Sequence, residues 1–192
     1  VFLGAPGAGK GTQAQIFAQD KKVAHISTGA MLRDAVAQGT ELGQKVKPII
    51  ESGGLVPDDL MVALIEDRIK HDDCKCGYIL DGFPRTVPQA EALDKMLSAH
   101  GEKLTHIVLF EVSEEAVLAR LAGRRGSESR ADDNAEVQME RIRVYREKTA
   151  PLIDYYEKQG ALIKVSGDAA IEEVQSRLVK AVSGVKSCCC CH

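Results

Sequence analysis

The feature that most constrains this chain is a glycine-rich loop near its start. Residues 4–12 read GAPGAGKGT and follow a short apolar stretch, VFL, of the kind that forms a buried strand. Gly4, Gly9 and Lys10 match the pattern G-x-x-x-x-G-K, which cradles phosphate when it lies between a strand and a helix. Glycine suits this task because phosphate oxygens need several backbone N–H donors at once, and a Cβ atom would hold the backbone away. The loop therefore predicts a strand, a phosphate-binding turn and a helix, in that order.

The rest of the chain alternates short apolar runs with longer helical patterns. The pattern predicts strands at 1–4, 23–27, 78–81, 105–112 and 161–166. It predicts helices at about 10–20, 29–38, 41–52, 58–71, 87–99, 114–123, 135–158 and 169–183. Such alternation indicates βαβ units, so we expect an α/β fold with a five-stranded parallel sheet and helices on both faces. Residues 124–134, RRGSESRADDN, show no periodicity and are predicted to form a loop.

Composition and charge exclude several classes of protein. The chain has 192 residues, of which 44% are hydrophobic and 28% charged, which is ordinary for one globular domain. Its net charge is −3 and it has no long basic block, so we expect no nucleic-acid partner. The longest apolar runs, such as IVLF, are too short to span a bilayer, so no membrane span is expected.

The six cysteines fall into two groups. Cys74 and Cys76 form a lone CxC pair, which we interpret as reduced thiols because no second pair in the body of the chain completes a metal site. Residues 183–192 end in SCCCCH, which is either a disordered tail or tag, or a metal-binding or S-acylated segment. The absence of a disulfide framework suits a reducing compartment, and we expect a cytoplasmic protein.

A second group of polar residues, DGFPR at 81–85, directly follows the third predicted strand. Asp81 would lie at the carboxyl edge of the sheet, where open α/β sheets bind ligands, and beside the glycine loop if the two strands are neighbours. Its carboxylate could hold Mg²⁺ through water, and Arg85 could bind a phosphate with two N–H groups. For Asp81 alone, a role in a turn or a helix cap is the alternative.

A third group consists of arginines between residues 120 and 146. They are Arg120, Arg124, Arg125, Arg130, Arg141, Arg143 and Arg146. Such a run usually forms a solvated face, and Arg143 and Arg146 are interpreted as surface residues. Arg124, Arg125 and Arg130 instead flank a short polar loop, the composition of a flap that closes over a ligand. Arginines on a flap could spread positive charge over several phosphates, which phosphoryl transfer requires.

Seven segments, in order along residues 1–182, together resemble the adenylate kinase family. They read GAPGAGKGTQA, ISTGAMLR, GGLVPDDL, LDGFPRTVPQA, LAGRR, RADDN and TAPLIDYY. The resemblance implies a P-loop kinase fold in which a small helical AMP-binding flap, about 27–56, and a lid, about 124–134, extend from the core. It also implies Mg²⁺-dependent transfer of the terminal phosphoryl group of ATP to AMP, giving two ADP.

The resemblance implies a role for each matching residue. The ATP-binding set would be Gly7, Ala8, Gly9, Lys10, Gly11, Thr12, Arg120, Arg124 and Ala169. The AMP-binding set would be Thr28, Arg33, Gly54, Leu55, Val56, Gly82, Phe83, Pro84, Arg85, Gln89, Arg130 and Arg141. Catalysis would depend on Lys10, Asp81, Arg85, Arg124, Arg130 and Arg141. Asp132 and Asp133 would hold the lid arginines, and Mg²⁺ would be held through water near Asp81 and Thr12.

The chain departs from the family pattern in three places. Its connection at 124–134 is short and holds no cysteine, which predicts the short-lid form without structural zinc. Gly11 stands where a phosphate loop usually has Ser or Thr, so no direct Mg²⁺ ligand is expected from the loop. Ala30 replaces the Asp of the family's STGD, and we expect this to lower the rate without abolishing it.

Two alternatives to an AMP-specific kinase remain open from the sequence. Uridylate and cytidylate kinases share the glycine loop and the DGFPR segment, although Thr28 and Gln89 favour AMP. The chain could instead be a nucleotide-binding scaffold or sensor, one module of a longer protein, with weak or no catalysis. The complete set of Lys10, Asp81 and arginines argues against this second alternative. We expect a monomer whose ligands are ATP, AMP and ADP.

Overall fold

The computed structural model describes residues 1–127 and 134–183, and within this part the side chains of 124–127 are not described. The strands are β1 (Phe2–Leu3), β2 (Ala24–Ser27), β3 (Tyr78–Asp81), β4 (Ile107–Glu111) and β5 (Leu162–Ser166). The first five α-helices are α1 (Lys10–Lys21), α2 (Thr28–Ala37), α3 (Glu41–Glu51), α4 (Asp58–Ile69) and α5 (Val87–Ala99). The later ones are α6 (Glu114–Ser127), α7 (Ala135–Val144), α8 (Pro151–Lys158) and α9 (Ile171–Ser183).

The strands form one parallel sheet of five strands, as the sequence predicts, and their order in the sheet is β2-β3-β1-β4-β5. β3 and β4 lie on opposite sides of β1. The chain therefore crosses from one half of the sheet to the other between these two strands, at the middle of the sheet. The loops that leave neighbouring strands at such a point diverge and open a crevice at the carboxyl edge. Phe2 pairs with Asp81, so the end of β3 lies beside the start of the glycine loop.

The continuous apolar run of β4 is explained by burial on both faces of the sheet. Neighbouring residues of a strand point to opposite faces. Val108 and Phe110 pack with Phe17 of α1 and Leu178 of α9. Ile107 and Leu109 pack on the other face, in a cluster that includes Ala90 of α5 and both Leu152 and Tyr156 of α8. Helices therefore cover both faces, which confirms the predicted layering.

Helices α2 and α3 form a hairpin beside the crevice. Their close approach depends on Gly43, because a Cβ atom added there would collide with the backbone carbonyl of Ala35. The hairpin lies within the flap predicted at about 27–56, and the chain that leaves α3 returns to the crevice at Gly53–Val56.

The structure corrects two predicted elements. α6 continues to Ser127, so the loop predicted at 124–134 is wrong for its first four residues. The helix predicted at 135–158 is interrupted by a π-helical turn at Tyr145–Thr149. Pro151 explains the interruption, because it has no N–H and its ring disfavours a regular preceding turn. Ala150 N instead donates to the carbonyl of Tyr145, five residues back, at 2.8 Å.

Two smaller expectations concern cysteines and membranes. Cys74 and Cys76 are free thiols, and Cys74 is buried while Cys76 is exposed. Within the described ranges no helix is long and apolar enough to cross a membrane. The cysteines of the SCCCCH segment lie outside the described residues, as do residues 128–133 of the predicted lid.

Candidate active site

A cleft of about 1330 Å³ lies along the carboxyl edge of the sheet. Among the described residues that line it, five carry a positive charge: Lys10, Arg33, Arg85, Arg120 and Arg141. Only Asp34 and Asp81 contribute carboxylates to the same lining. The cleft therefore favours a ligand with several negative charges, such as a set of phosphate groups.

The glycine loop forms one wall of this cleft and leads into α1. Gly9 is the N-cap of α1, with φ of 84°, a left-handed conformation that strains any residue with a Cβ atom. Within the described part of the chain no side chain caps this helix end. The first-turn N–H groups therefore face the cleft beside the positive end of the helix, an arrangement that binds phosphate.

The side chain of Lys10 folds back over the glycine loop. Its Nζ donates hydrogen bonds to the carbonyls of Gly4, at 2.7 Å, and Ala5, at 2.8 Å. The ammonium group is thus held at the glycine loop by backbone acceptors. A phosphate oxygen that entered the loop would compete with these carbonyls for the same N–H donors.

Asp81 lies at the end of β3, facing the loop, as the sequence predicts. Its side chain is only 12% exposed, and a methyl group added at Gly11 would lie 3.4 Å from its Oδ2. Burial alone would raise the pKa of Asp81. The hydrogen bond from His25 and the positive charges of Lys10 and Arg85 outweigh this effect, so the pKa lies below its usual value. The group is therefore a carboxylate at neutral pH.

The oxygens at this position fit a hydrated Mg²⁺ ion. Asp81 supplies a carboxylate, and the exposed Thr12 lines the same cleft. Mg²⁺ usually keeps several waters and binds through one or two carboxylates together with substrate phosphates. In the part of the chain described here, no group of three or more His, Cys, Asp or Glu side chains could hold a metal ion. An ion at Asp81 would therefore depend on water and on the ligand for its remaining contacts.

His25 is a site residue that the sequence did not reveal, because a single histidine within a predicted strand carries no distinctive signal. The structure places it within β2, where its Nε2 lies 3.4 Å from Oδ2 of Asp81. Its side chain is 23% exposed and lines the cleft. The alternation in AHIS could have indicated that His25 and Ile26 point to opposite faces of the sheet, but not which residue of a neighbouring strand lies beside His25.

The opposite wall of the cleft is built around the carbonyl of Gly82. Thr28, whose side chain is buried, donates its hydroxyl to this oxygen at 3.0 Å, and Nε of Arg85 donates to it at 2.9 Å. Thr28 thereby connects the start of α2 to the end of β3. Arg85 lines the cleft, as does Arg33.

Arg33 and Arg85 are close enough to influence each other. Burial lowers the pKa of Arg85, Asp81 raises it, and the like charge of Arg33 lowers it further, so the net shift is downward. Two neighbouring guanidinium groups that repel each other are stabilised when an anion binds between them. This wall therefore suits a second phosphate group, separate from the glycine loop.

Gln89 is part of this second wall and is almost fully buried, with 2% of its surface exposed. Its Nε2 donates to Oδ1 of Asp58 at 2.7 Å, and its Oε1 accepts from the backbone N–H of Arg85 at 2.8 Å. A side-chain amide has two N–H groups and two lone pairs on its oxygen. One N–H and one lone pair therefore remain for a ligand, which the predicted role in base recognition requires.

The far end of the glycine-loop wall is formed by the segment between β5 and α9. Nη2 of Arg120 donates to the carbonyl of Gly167 at 2.6 Å, and Ala169 lines the cleft next to it. Nε2 of Gln13 donates to the carbonyl of Ile171 at 3.0 Å. Oε1 of Gln13 is buried, and among the described residues it has no hydrogen-bond partner. The sequence did not single out Gln13, because one glutamine on a helix carries no distinctive signal.

Most of the predicted residues are brought together in the cleft. Its lining includes Gly7, Ala8, Gly9, Lys10, Gly11, Thr12, Thr28, Arg33, Gly54, Leu55, Val56, Asp81, Gly82, Pro84, Arg85, Gln89, Arg120, Arg141 and Ala169. Gln138, Tyr145 and Thr149 also line it and were not predicted. Arg143 and Arg146 are exposed and form ion pairs with glutamates, which confirms their interpretation as surface residues.

Phe83 is the exception among the residues whose side chains are described. Its ring is 1% exposed and belongs to the apolar cluster that includes Ile26, Leu80 and Leu93, so it does not line the cleft. The ring follows the end of β3 and lies in the cluster to which α4 contributes Ile65 and α5 contributes Leu93. The side chains of Arg124, Arg130, Asp132 and Asp133 lie outside the described residues.

Comparison with known proteins agrees with this geometry. Residues 2–161 match the family model described as adenylate kinase. The adenylate kinase of Thermus thermophilus is 49% identical, with 96% of each chain covered. That of Kosmotoga olearia is 47% identical over 94% of this chain and 96% of its own. That of Nitrobacter hamburgensis is 50% identical over 91% of this chain and 86% of its own. With a glycine loop and several positive charges lining the cleft, and with this similarity along almost the whole chain, the protein belongs to the adenylate kinase family.

Proposed function

We propose that this chain catalyses the reversible, Mg²⁺-dependent transfer of the terminal phosphoryl group of ATP to AMP, giving two ADP. The observation that carries the proposal is the pairing of two anion-binding walls in one cleft. One wall is the glycine loop with Lys10, the other contains Arg33 and Arg85, and Asp81 lies within electrostatic reach of Lys10 and Arg85. Membership of the family supports the same reaction.

The glycine-loop wall would bind ATP. Backbone N–H groups of residues 7–12 would donate to its phosphate oxygens, and Lys10 would move its hydrogen bonds from Gly4 and Ala5 to the group being transferred. The base would lie toward Ala169, where Arg120 and Gln13 hold the surrounding segment. Arg120 would also stack on the base, as the family resemblance implies.

The second wall would bind AMP. Arg33 and Arg85 would hold its phosphate, while the backbone of Gly54–Val56 and the Gln89 amide would contact its base. Thr28 donates its hydroxyl to the carbonyl of Gly82, so it would contribute by shaping the pocket. The same contacts support AMP over UMP or CMP, because a pyrimidine is smaller and would reach the Gln89 amide less well.

The reaction needs no nucleophile from the protein. A phosphate oxygen of AMP forms the new bond to the terminal phosphorus of ATP as the bond to the departing ADP oxygen breaks. Positioning of the two phosphates and stabilisation of their negative charge therefore account for most of the catalysis. Lys10, Arg85 and Arg141 would supply positive charge from the described part of the site, and Arg124 and Arg130 would add charge from the lid.

Asp81 and Thr12 would hold Mg²⁺ through water. When bound, the ion neutralises charge on the phosphate oxygens, and the lowered pKa of Asp81 keeps its carboxylate ready for this role. Closure of a short lid at about 124–134 and of the flap at about 27–56 would exclude water, which would otherwise accept the phosphoryl group in place of AMP. Asp132 and Asp133 would hold the lid arginines in the closed state.

A coupled assay of ADP formation tests the proposal. ATP is supplied with AMP, UMP or CMP, and one set of reactions omits Mg²⁺. We expect rapid ADP formation from ATP when AMP is the acceptor and not when UMP or CMP replaces it. We also expect turnover to be lost without Mg²⁺. Preference for UMP or CMP would overturn the choice of acceptor. Folded protein that binds ATP and AMP but turns over no acceptor would instead support the scaffold alternative. Sedimentation equilibrium, run on the same sample, tests the proposal that one chain acts as a monomer.

A further inference from the structure

We infer that Asp58 determines which base the acceptor site takes, because it holds the Gln89 amide in the orientation that matches adenine and not guanine. The inference rests on the proposed transfer to AMP and names a residue that does not itself line the cleft. Asp58 is the first residue of α4 and is partly buried. It is a positioning residue, since it acts through Gln89.

The orientation of a side-chain amide is set by what its two ends face. Nε2 of Gln89 faces Oδ1 of Asp58, at 2.7 Å, and a carboxylate can only accept hydrogen bonds. Oε1 of Gln89 faces the backbone N–H of Arg85, at 2.8 Å, and this group can only donate. Both partners therefore demand the same orientation. A rotation of the amide by half a turn would place two donors against each other at one end and two acceptors at the other.

Asp58 is itself held in place by the start of α5. The hydroxyl of Thr86 donates to the Asp58 carboxylate, with distances of 3.2 and 3.3 Å to its two oxygens. The same hydroxyl accepts from the backbone N–H of Gln89 at 3.2 Å, as the N-cap of α5. Thr86, Asp58 and Gln89 thus form a closed set of hydrogen bonds between α4 and α5.

The two purines present opposite patterns to such an amide. Adenine has an acceptor at ring nitrogen N1 beside a donor, its 6-amino group. Guanine has a donor at N1 beside an acceptor, its 6-oxygen. For a purine held in one pose, the free N–H and free lone pair of Gln89 can pair with only one of these patterns, and pairing with the other requires the amide to rotate. Because Gln89 is buried, rotation would leave the Arg85 N–H and the Asp58 carboxylate without correct partners.

The test compares Asp58→Asn with Asp59→Asn. The first substitution keeps the shape of the side chain but lets it offer either a donor or an acceptor to Gln89. Asp59 is the matched control, because it lies in the same first turn of α4, contributes the same charge near the helix N-terminus, and is exposed. Each protein is assayed with ATP and either AMP or GMP, and GMP is also measured as a competitor of AMP.

For Asp58→Asn we expect the preference for AMP over GMP to fall roughly tenfold, measured as the ratio of kcat/KM values or of binding constants. We expect the effect to appear in KM for AMP, with KM for ATP within about twofold. Asp59→Asn should leave the preference unchanged. Thermal unfolding of both variants separates these effects from loss of fold.

The outcomes separate this inference from the proposed function. Unmodified protein that does not phosphorylate AMP would contradict the proposed function itself. Unmodified protein that phosphorylates AMP, together with an unchanged AMP preference in Asp58→Asn, would overturn only the role of Asp58. A parallel loss of activity with both acceptors and of ATP affinity would likewise overturn it, because that pattern indicates a purely structural role.

Discussion

The two walls of the cleft differ in the groups that form them: one presents mainly backbone N–H groups and the other mainly side chains. At its phosphate end the glycine-loop wall would bind through backbone N–H groups and one lysine, all contributed by nine consecutive residues, 4–12. The opposite wall depends on side chains from residues 28, 33, 58, 85 and 89, which four different elements or loops bring together. A backbone site tolerates few changes in its glycine spacing, whereas a side-chain site can be adjusted one contact at a time. We therefore expect phosphate binding to be set by the first wall and acceptor choice by the second.

The largest effect is expected from Lys10→Met, which tests the glycine-loop wall. Removal of the ammonium group should lower kcat about a thousandfold or more, because it removes charge stabilisation at the transferred group. Affinity for AMP should change little, since Lys10 belongs to the other wall. Single-turnover rates and AMP binding by calorimetry check this. A fall in kcat of less than tenfold would show that the backbone alone carries the function of this wall.

The next effect is expected from Arg85→Ala in the opposite wall. Loss of this guanidinium should lower kcat/KM for AMP roughly a hundredfold or more, because a charge-assisted contact to phosphate is lost. KM for ATP should stay within about threefold. Arg143→Ala is the control, as Arg143 is exposed and pairs only with Glu140 and Glu147 among the described residues. Equal damage to both substrates would contradict a division of the cleft into two walls.

A smaller effect is expected from Gln13→Ala, which tests the base end of the glycine-loop wall. The substitution removes the hydrogen bond to Ile171 that holds the segment after β5, so KM for ATP should rise about five- to tenfold. KM for AMP should be unaffected, and Gln19→Ala, an exposed position on the same helix, should change neither. A rise in KM for both nucleotides would indicate instead that Gln13 stabilises α1 in general and has no specific role at the ATP site.

The smallest effect is expected from Ala30→Asp, on the first turn of α2. Ala30 lines the cleft and stands where the family pattern has Asp, so we expect the substitution to raise kcat a few-fold by improving the geometry of Mg²⁺ and phosphate. Rates measured across a Mg²⁺ titration check this. An unchanged rate at every Mg²⁺ concentration would contradict the expectation that Ala30 lowers kcat.

The contrast between the walls also explains what could be predicted. Gly9 and Lys10 were recognisable because their spacing along the chain is itself the geometry of the site. The position of Asp81 at the carboxyl edge of the sheet followed from the rule that ligands bind where parallel strands end, and the pairing of β1 with β3 then placed it beside the loop. The role of Arg143 as a surface residue was correct, but the end of α6 was wrong by four residues because helix ends depend weakly on sequence pattern.

Contacts that join distant residues were not predictable. The pairing of His25 with Asp81 requires β2 and β3 to be neighbours in a fixed register, which apolar alternation does not specify. The burial of Phe83 depends on how α4 and α5 pack over the end of β3, since its sequence neighbours line the cleft. The π-helical turn before Pro151 was missed because a helical pattern of apolar residues continues through it.

By itself, the sequence determined the phosphate-binding loop, the α/β class and the order of strands and helices, because each of these depends on residues close together in the chain. The family resemblance grouped Thr28, Arg33, Arg85 and Gln89, but only the tertiary structure decided how the side chains of the second wall contact one another and which way the Gln89 amide faces. That orientation depends on a carboxylate 31 residues away and on a backbone N–H four residues away. Hydrogen-bond direction is a property of atoms in contact, and the linear order of residues does not specify those contacts.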